Sequence, residues 1–154
     1  MTMRKLLPLV LLASATAYAA PTAEPNPVVV ELFQSQGCSS CPPADMVLND
    51  LAGRRDVIAL NFAVTYWDYL GWKDSFAQPA FTQRQRDYAS AGGRNNVATP
   101  QMIVNGRVAL LGSRRGEVDQ AIGRLRIVNP DPAIRVSGTT IDIAAGKRDK
   151  PATL

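Results

Sequence analysis

The chain has no histidine among its 154 residues and only two cysteines. Without histidine, neither a Ser-His-Asp triad nor a Cys-His pair can be built. A structural zinc site takes four Cys or His ligands, so with two available no metal is expected; no cofactor is expected either. Aromatic residues are sparse, at 6%. No apolar run reaches the ~20 residues that a membrane-spanning helix needs. A charge excess of either sign is also missing, since 17 Lys and Arg face 13 Asp and Glu. That balance gives no reason to expect nucleic acid or an acidic membrane surface as a partner. The Arg54-Arg55 and Arg114-Arg115 pairs read as solvated surface. There is no internal repeat and no low-complexity tract.

What remains is an ordinary globular composition, 46% hydrophobic, at a length that suits one domain or one domain plus a fragment of a second. The first residues stand apart. Arg4 and Lys5 give a positive start, Leu6 to Leu12 is apolar apart from Pro8, and Ala17-Tyr18-Ala19 places small residues where a signal peptidase reads them. Residues 1–19 read as a signal peptide cut after Ala19, and residues 20–26, with Pro21 and Pro25, as an extended leader. The mature protein is then expected in the bacterial periplasm or outside the cell, with no stable membrane insertion after cleavage. Losing Arg4 and Lys5 leaves 15 basic against 13 acidic side chains of the 17 and 13 in the whole chain. Two cysteines three positions apart in an exported protein meet an oxidising environment.

The hydrophobic pattern predicts a strand over 28–33, a short β-branched run bounded by Pro27 and by Gln34-Ser35-Gln36-Gly37. A helix is predicted over 44–52, with Met46, Val47, Leu48 and Leu51 at helical spacing and Gly53 as its stop. Residues 57–64 read as a second buried strand and 81–91 as a polar helix ending at Gly92-Gly93. Residues 101–104 and 107–111 read as the arms of a hairpin turned by Asn105-Gly106. A last helix spans 117–125, with Val118, Ala121, Ile122 and Leu125 on one face. Residues 134–143 carry further strand signals. A β-α-β unit followed by a hairpin and a closing helix is the thioredoxin arrangement, an α/β fold with a central mixed sheet flanked by helices. Its first two strands should pair in parallel.

The chemistry centres on Cys38-Ser39-Ser40-Cys41. A Cys-x-x-Cys that follows a strand and opens a helix is the redox motif of such folds. The spacing lets the sulfurs close a small disulfide, and the N–H groups of a helix N-terminus lower a thiol's pKa. Cys38 would be the attacking and exposed thiol and Cys41 the shielded, resolving one. Pro42 and Pro43 favour a helix that starts near Cys41, which would give Cys38 less help. A static disulfide is the competing reading. Thr99-Pro100, just before the hairpin, sits where this fold carries a cis-proline beside the sulfurs; an ordinary trans proline opening a strand is the alternative. Thr99 is a candidate for pairing with a substrate strand. Glu31, in an apolar strand, is a candidate acceptor for the Cys41 proton, or else the partner of an arginine. Asp45 reads as a residue that complements the helix dipole. Tyr66, Trp67, Tyr69 and Trp72 form either core packing or a platform for a peptide, with Tyr66 and Trp67 as the candidate substrate-binding residues.

Several segments together, Val30-Glu31-Leu32-Phe33, Ser35 to Asp45 with its CSSCPPAD motif, Tyr66 to Asp74, Thr99-Pro100-Gln101 and Val104-Asn105-Gly106, resemble the DUF1223 family. The resemblance covers roughly 27–126. It implies a secreted bacterial thioredoxin-like protein. It also implies a histidine and an aspartate where this chain has Ala63 and Thr65, and a tyrosine where it has Ala98. If that histidine and aspartate activate the thiol or bind a metal, this chain keeps the fold without that function. The family continues into a β-rich C-terminal part, of which residues 127–154 read as a truncated stub behind a thioredoxin-like domain over 27–126.

The function these readings support is thiol–disulfide exchange through the Cys38–Cys41 pair, with a protein or small thiol or disulfide as substrate and an unidentified redox partner. Two other functions stand beside it: a non-enzymatic binding domain with a structural disulfide, and a dithiol site for Cu(I).

Overall fold

In a computed structural model of the chain, the described residues are 26–126, 134–137 and 139–144. The expected signal peptide lies outside them. The elements run β1 (Val28–Gln34), α1 (Pro42–Ala52), β2 (Val57–Ala63), a 3-10 turn (Thr65–Leu70), α2 (Pro79–Ala91), β3 (Gln101–Val104), β4 (Val108–Leu111), α3 (Arg115–Leu125), β5 (Ile134–Ser137) and β6 (Thr140–Ile143). Each helix begins two residues earlier than the hydrophobic pattern predicts. In α1 and α2 the reason is proline in the first turn, where its missing N–H has no helical partner to lose and its fixed φ already suits the helix.

The main sheet has the order β2-β1-β3-β4. β1 and β2 pair in parallel, and β1–β3 and β3–β4 are antiparallel. The fold class read from the element order, a mixed sheet flanked by helices, is the one observed. β5 and β6 form a separate two-stranded antiparallel sheet.

Alternation along β1 sends successive side chains to opposite faces of the sheet. Val28, Val30 and Leu32 pack with Ala44, Val47, Leu48 and Leu51 of α1 and with Val118, Ala121 and Ile122 of α3. On the other face Phe33 packs with Ile103 and Val64, against Phe62, Tyr66, Trp67 and Tyr88. Both faces of this inner strand are covered, so its run of apolar residues shows little polar alternation.

β2 departs from the expectation of a second buried strand. It lies at the sheet edge, and Ile58 and Leu60 remain 44% and 37% exposed. Only Phe62 on that face gains an aromatic partner from α2, Phe81, at 5.0 Å between ring centroids. An apolar run alone does not distinguish an edge strand from an inner one.

The hairpin turn follows the Asn-Gly signal. Asn105 and Gly106 have φ of 48° and 64°, the backbone that a tight hairpin of this type requires. Asn105 also ties elements together. Its Oδ1 accepts from the Val29 N–H at 2.8 Å, and its Nδ2 donates to the Leu125 carbonyl at 2.9 Å, satisfying an orphan group at the end of α3. Three of the four paired arginines are engaged at the surface: Arg54 meets Asp56 and Asp119, Arg115 meets Asp50 and Asp119, and Arg114 meets Glu117.

Candidate functional site

The segment between β1 and α1 is wound tightly. The Cys38 N–H donates to the Ser35 carbonyl at 3.0 Å, and the Cys41 N–H to the Cys38 carbonyl at 3.1 Å. Cys38 and Cys41 are joined as a disulfide with their Cα atoms 5.4 Å apart. Gly37 is needed for a close approach: a Cβ there would lie 3.1 Å from the Trp67 Cβ.

The helix supplies little to the sulfurs. Cys41 is the N-cap, so Cys38 lies outside α1, three residues before the cap. Pro42 and Pro43 have no N–H, and those of Ala44 and Asp45 both go to the Cys41 carbonyl, at 2.8 and 3.2 Å. Little is left of the donor set that normally favours a thiolate at a helix start.

Side chains from elsewhere take over that role. The Thr99 hydroxyl donates to Cys38 Sγ at 3.2 Å, and the Ser40 hydroxyl lies 3.6 Å from the same sulfur. The Trp67 indole N–H donates to Thr99 Oγ1 at 2.8 Å. With its oxygen accepting from the indole, the hydroxyl's single hydrogen is directed at the sulfur. The Thr99-Pro100 bond is cis, as expected from the sequence.

Gln85, fully buried on α2, holds both flanks of this dipeptide. Its Nε2 donates to the Ala98 carbonyl and to Gln101 Oε1, each at 2.9 Å, and its Oε1 accepts from the Tyr66 hydroxyl at 3.1 Å. Burial lifts the Tyr66 phenol above its ordinary value. Asp74 pins the other side of the loop. Its Oδ2 accepts from the Gln36 N–H at 2.8 Å and its Oδ1 from the Phe76 N–H at 2.9 Å. Sequence reasoning assigned no role to Gln85 or Asp74. The contact from Asp74 to the N–H two residues on is an Asx-turn, a signal that was available for this residue. A buried glutamine inside a polar helical stretch carries no such signal.

Cys38 is not openly exposed, contrary to expectation. In the oxidised pair it is 3% accessible and Cys41 1%. Cys38 does line a cavity of about 660 Å³, and Cys41 is not among the lining residues. The wall also includes Gln36, Asp45, Asn49, Asn61 and Phe76. The asymmetry between the two sulfurs therefore takes the form of access through a cavity.

Glu31 faces away from this cavity. It shares the Phe33 face of β1, opposite α1, and its carboxylate is bound to the Arg84 guanidinium. That guanidinium stacks over the Phe62 and Tyr88 rings at 5.5 and 5.3 Å. Of the two readings of Glu31, this geometry is that of the arginine partner. The aromatic segment divides: Tyr66 and Trp67 pack on the core, while Tyr69 and Trp72 are exposed, with the Trp72 indole N–H on Gln36 Oε1 at 3.0 Å. At the three positions that the family resemblance singled out, Ala63 is buried and lines the cavity, Thr65 bonds Thr82 through its N–H and hydroxyl, and Ala98 offers its carbonyl to Gln85.

The family model described as "Protein of unknown function (DUF1223)" matches residues 29–153. The chain belongs to the DUF1223 family. Among solved structures it is similar to protein AGR_C_4864 from Agrobacterium tumefaciens, with 46% identity and a TM-score of 0.63. The likeness covers 67% of this chain and 46% of that one, so this DUF1223 chain spans about half the length of its structural relative. None of the curated proteins compared matches it. Among the described residues no three His, Cys, Asp or Glu side chains gather into a group that would hold a metal, and no helix is long and apolar enough to cross a membrane.

Proposed function

We propose that this protein is an exported, thioredoxin-like thiol–disulfide oxidoreductase that works through Cys38 and Cys41. The observation that carries this reading is the Trp67–Thr99–Cys38 chain of hydrogen bonds, at 2.8 and 3.2 Å. A hydroxyl donor aimed at a sulfur stabilises a thiolate more than it stabilises a disulfide, because charge-assisted hydrogen bonds are roughly twice as strong as neutral ones. A purely structural disulfide has no use for that donor. The cavity gives Cys38 a route to a substrate sulfur, while Cys41 stays shielded behind it and resolves the mixed disulfide.

Substrates are disulfides or thiols able to enter the cavity, whether small molecules or extended protein segments, and a redox partner returns the pair to its starting state. Thr99 and Pro100 act on Cys38 from outside the cavity wall, Thr99 through its hydroxyl on Sγ and with the Trp67 indole holding it in place. The signal-like N-terminus and the disulfide support the periplasm or the exterior as its place of work.

The low accessibility of Cys38 in the oxidised pair favours a static disulfide as the second reading. Two single variants separate them. Cys41→Ser should trap partner proteins or small thiols as mixed disulfides on Cys38, and Cys38→Ser should trap none. If both variants are equally unreactive toward a thiol reagent at neutral pH, the oxidoreductase reading is wrong and the static disulfide replaces it.

A further inference from the structure

Apart from the Cys38 sulfur, the cavity has one ionisable side chain in its described wall, Asp45. The groups around it come from every neighbouring element: Asn49 on α1, Asn61 on β2, Gln34 at the end of β1, Ser35 and Gln36 just beyond it, Ser75 in the loop before α2, and Gln78 at its start. None of these titrates. Asp74 and Asp68, on the flanking loop, are turned to backbone N–H groups.

Asp45 stands one helical turn after Cys41, and its N–H donates to the Cys41 carbonyl at 3.2 Å. Residues four apart on a helix share a face, which places Asp45 and Cys41 on one side of the start of α1. Its Oδ1 is buried with no hydrogen-bond partner. An aspartate that merely complements a helix dipole has no reason to hide an oxygen from water. A buried oxygen without donors disfavours the carboxylate and favours the acid. Burial accordingly pushes this carboxyl above its ordinary value, against an opposing hydrogen bond from Asn61.

We propose that Asp45 is the proton carrier of the dithiol exchange. The proposal rests on the oxidoreductase reading and adds the residue that moves the proton. The Cys38 thiolate attacks a substrate disulfide; the Cys38–substrate bond forms, the substrate S–S bond breaks, and the first thiolate leaves and is protonated by water. The Cys41 thiol then gives its proton to the Asp45 carboxylate and attacks Cys38 Sγ. The Cys38–Cys41 bond forms, the mixed disulfide breaks, and the second thiolate leaves with the proton from Asp45. Two electrons have passed from the cysteine pair to the substrate disulfide, which ends as two thiols. Glu31 takes no part, being bound to Arg84 on the other face of the sheet.

The test uses the reduced, full mature chain and 4,4′-dithiodipyridine, whose two thiopyridone releases report attack by Cys38 and resolution by Cys41 separately. Asp45→Asn should leave the first release within about twofold and slow the second by about 100-fold at pH 7, the lower range of general-base effects. The difference should close as the pH rises and hydroxide takes over from Asp45 as the base. Asp45→Ser, also compatible with a first helical turn, repeats the measurement if asparagine disturbs α1. A second release that is unchanged, or both releases slowed equally, overturns the role of Asp45 and leaves the oxidoreductase reading standing. A wild-type protein that releases no thiopyridone overturns both.

Discussion

Replacing Thr99 by valine keeps the shape of the side chain and removes its hydroxyl. Two hydrogen bonds are lost, the one to Cys38 Sγ at 3.2 Å and the one from Trp67 Nε1 at 2.8 Å. The second loss is felt equally in the oxidised and reduced protein. It strands a half-buried indole N–H, and should cost about 1–3 kcal/mol of stability in both. The first loss is unequal. A hydrogen bond to a charged group contributes about 1.5–3 kcal/mol, and a neutral one about 0.5–1.5 kcal/mol. The thiolate therefore loses about 1–1.5 kcal/mol more than the thiol or the disulfide does. At 1.36 kcal/mol per unit, the Cys38 pKa should rise by about one unit. Where Cys38 is ionised, the reduced form is weakened by the same amount, and the pair should become more reducing by about 30 mV.

The assay is the pH dependence of iodoacetamide alkylation in a Cys41→Ser background, with and without Thr99→Val. Thr99→Ser, which restores a hydroxyl, should return the titration most of the way. A midpoint that does not move when valine replaces threonine, in a protein that still melts cooperatively, refutes the claim that this hydroxyl holds the thiolate.

Two further outcomes concern the scaffold. Gly112→Ala should lower stability by about 1–3 kcal/mol in a denaturant melt, the usual cost of overpacking, because its Cβ would meet Ala44 Cβ at 3.0 Å, Leu32 Cδ1 at 3.1 Å and Met102 Cγ at 3.3 Å; an unchanged midpoint would mean that α1 and β3 can part freely. Asp56 is held at about 2, below its ordinary 3.8, first by the Arg54 guanidinium and also by Arg126. Its contribution to stability is complete above pH 3.8 and lost as the pH falls through about 2. NMR titration of the carboxyl should find the depressed midpoint, and Asp56→Asn should restore the ordinary acid behaviour of the Arg54 cluster.

Local pattern fixed a good deal of this protein. The β-branched run ahead of the cysteines, the helical spacing of Val47, Leu48 and Leu51, and the Asn105-Gly106 turn each depend on neighbours within a few residues, and each appears where the sequence puts it. The Cys-x-x-Cys at a strand-to-helix junction and the pull of Pro42 and Pro43 toward a helix start near Cys41 were equally legible, because φ restriction and sulfur reach are local properties, whereas the start of α2 at Pro79 went unread. Tertiary structure decided the rest. Whether Val57–Ala63 is an inner or an edge strand depends on the strand order, which periodicity does not encode. Glu31 was readable as a buried acid, but its arginine stands 53 residues away on another element. The donor on Cys38 comes from Thr99, 61 residues on, and the clamp on Gln36 from Asp74, 38 residues on. Asp45 illustrates the division. Its place in the first turn suggested a partner for the helix dipole, and only the packing of α1 against β2 hid one of its oxygens and set the carboxyl in the wall of the Cys38 cavity. A hydrogen-bond partner or a burial is a property of two segments at once, and a sequence states each segment alone.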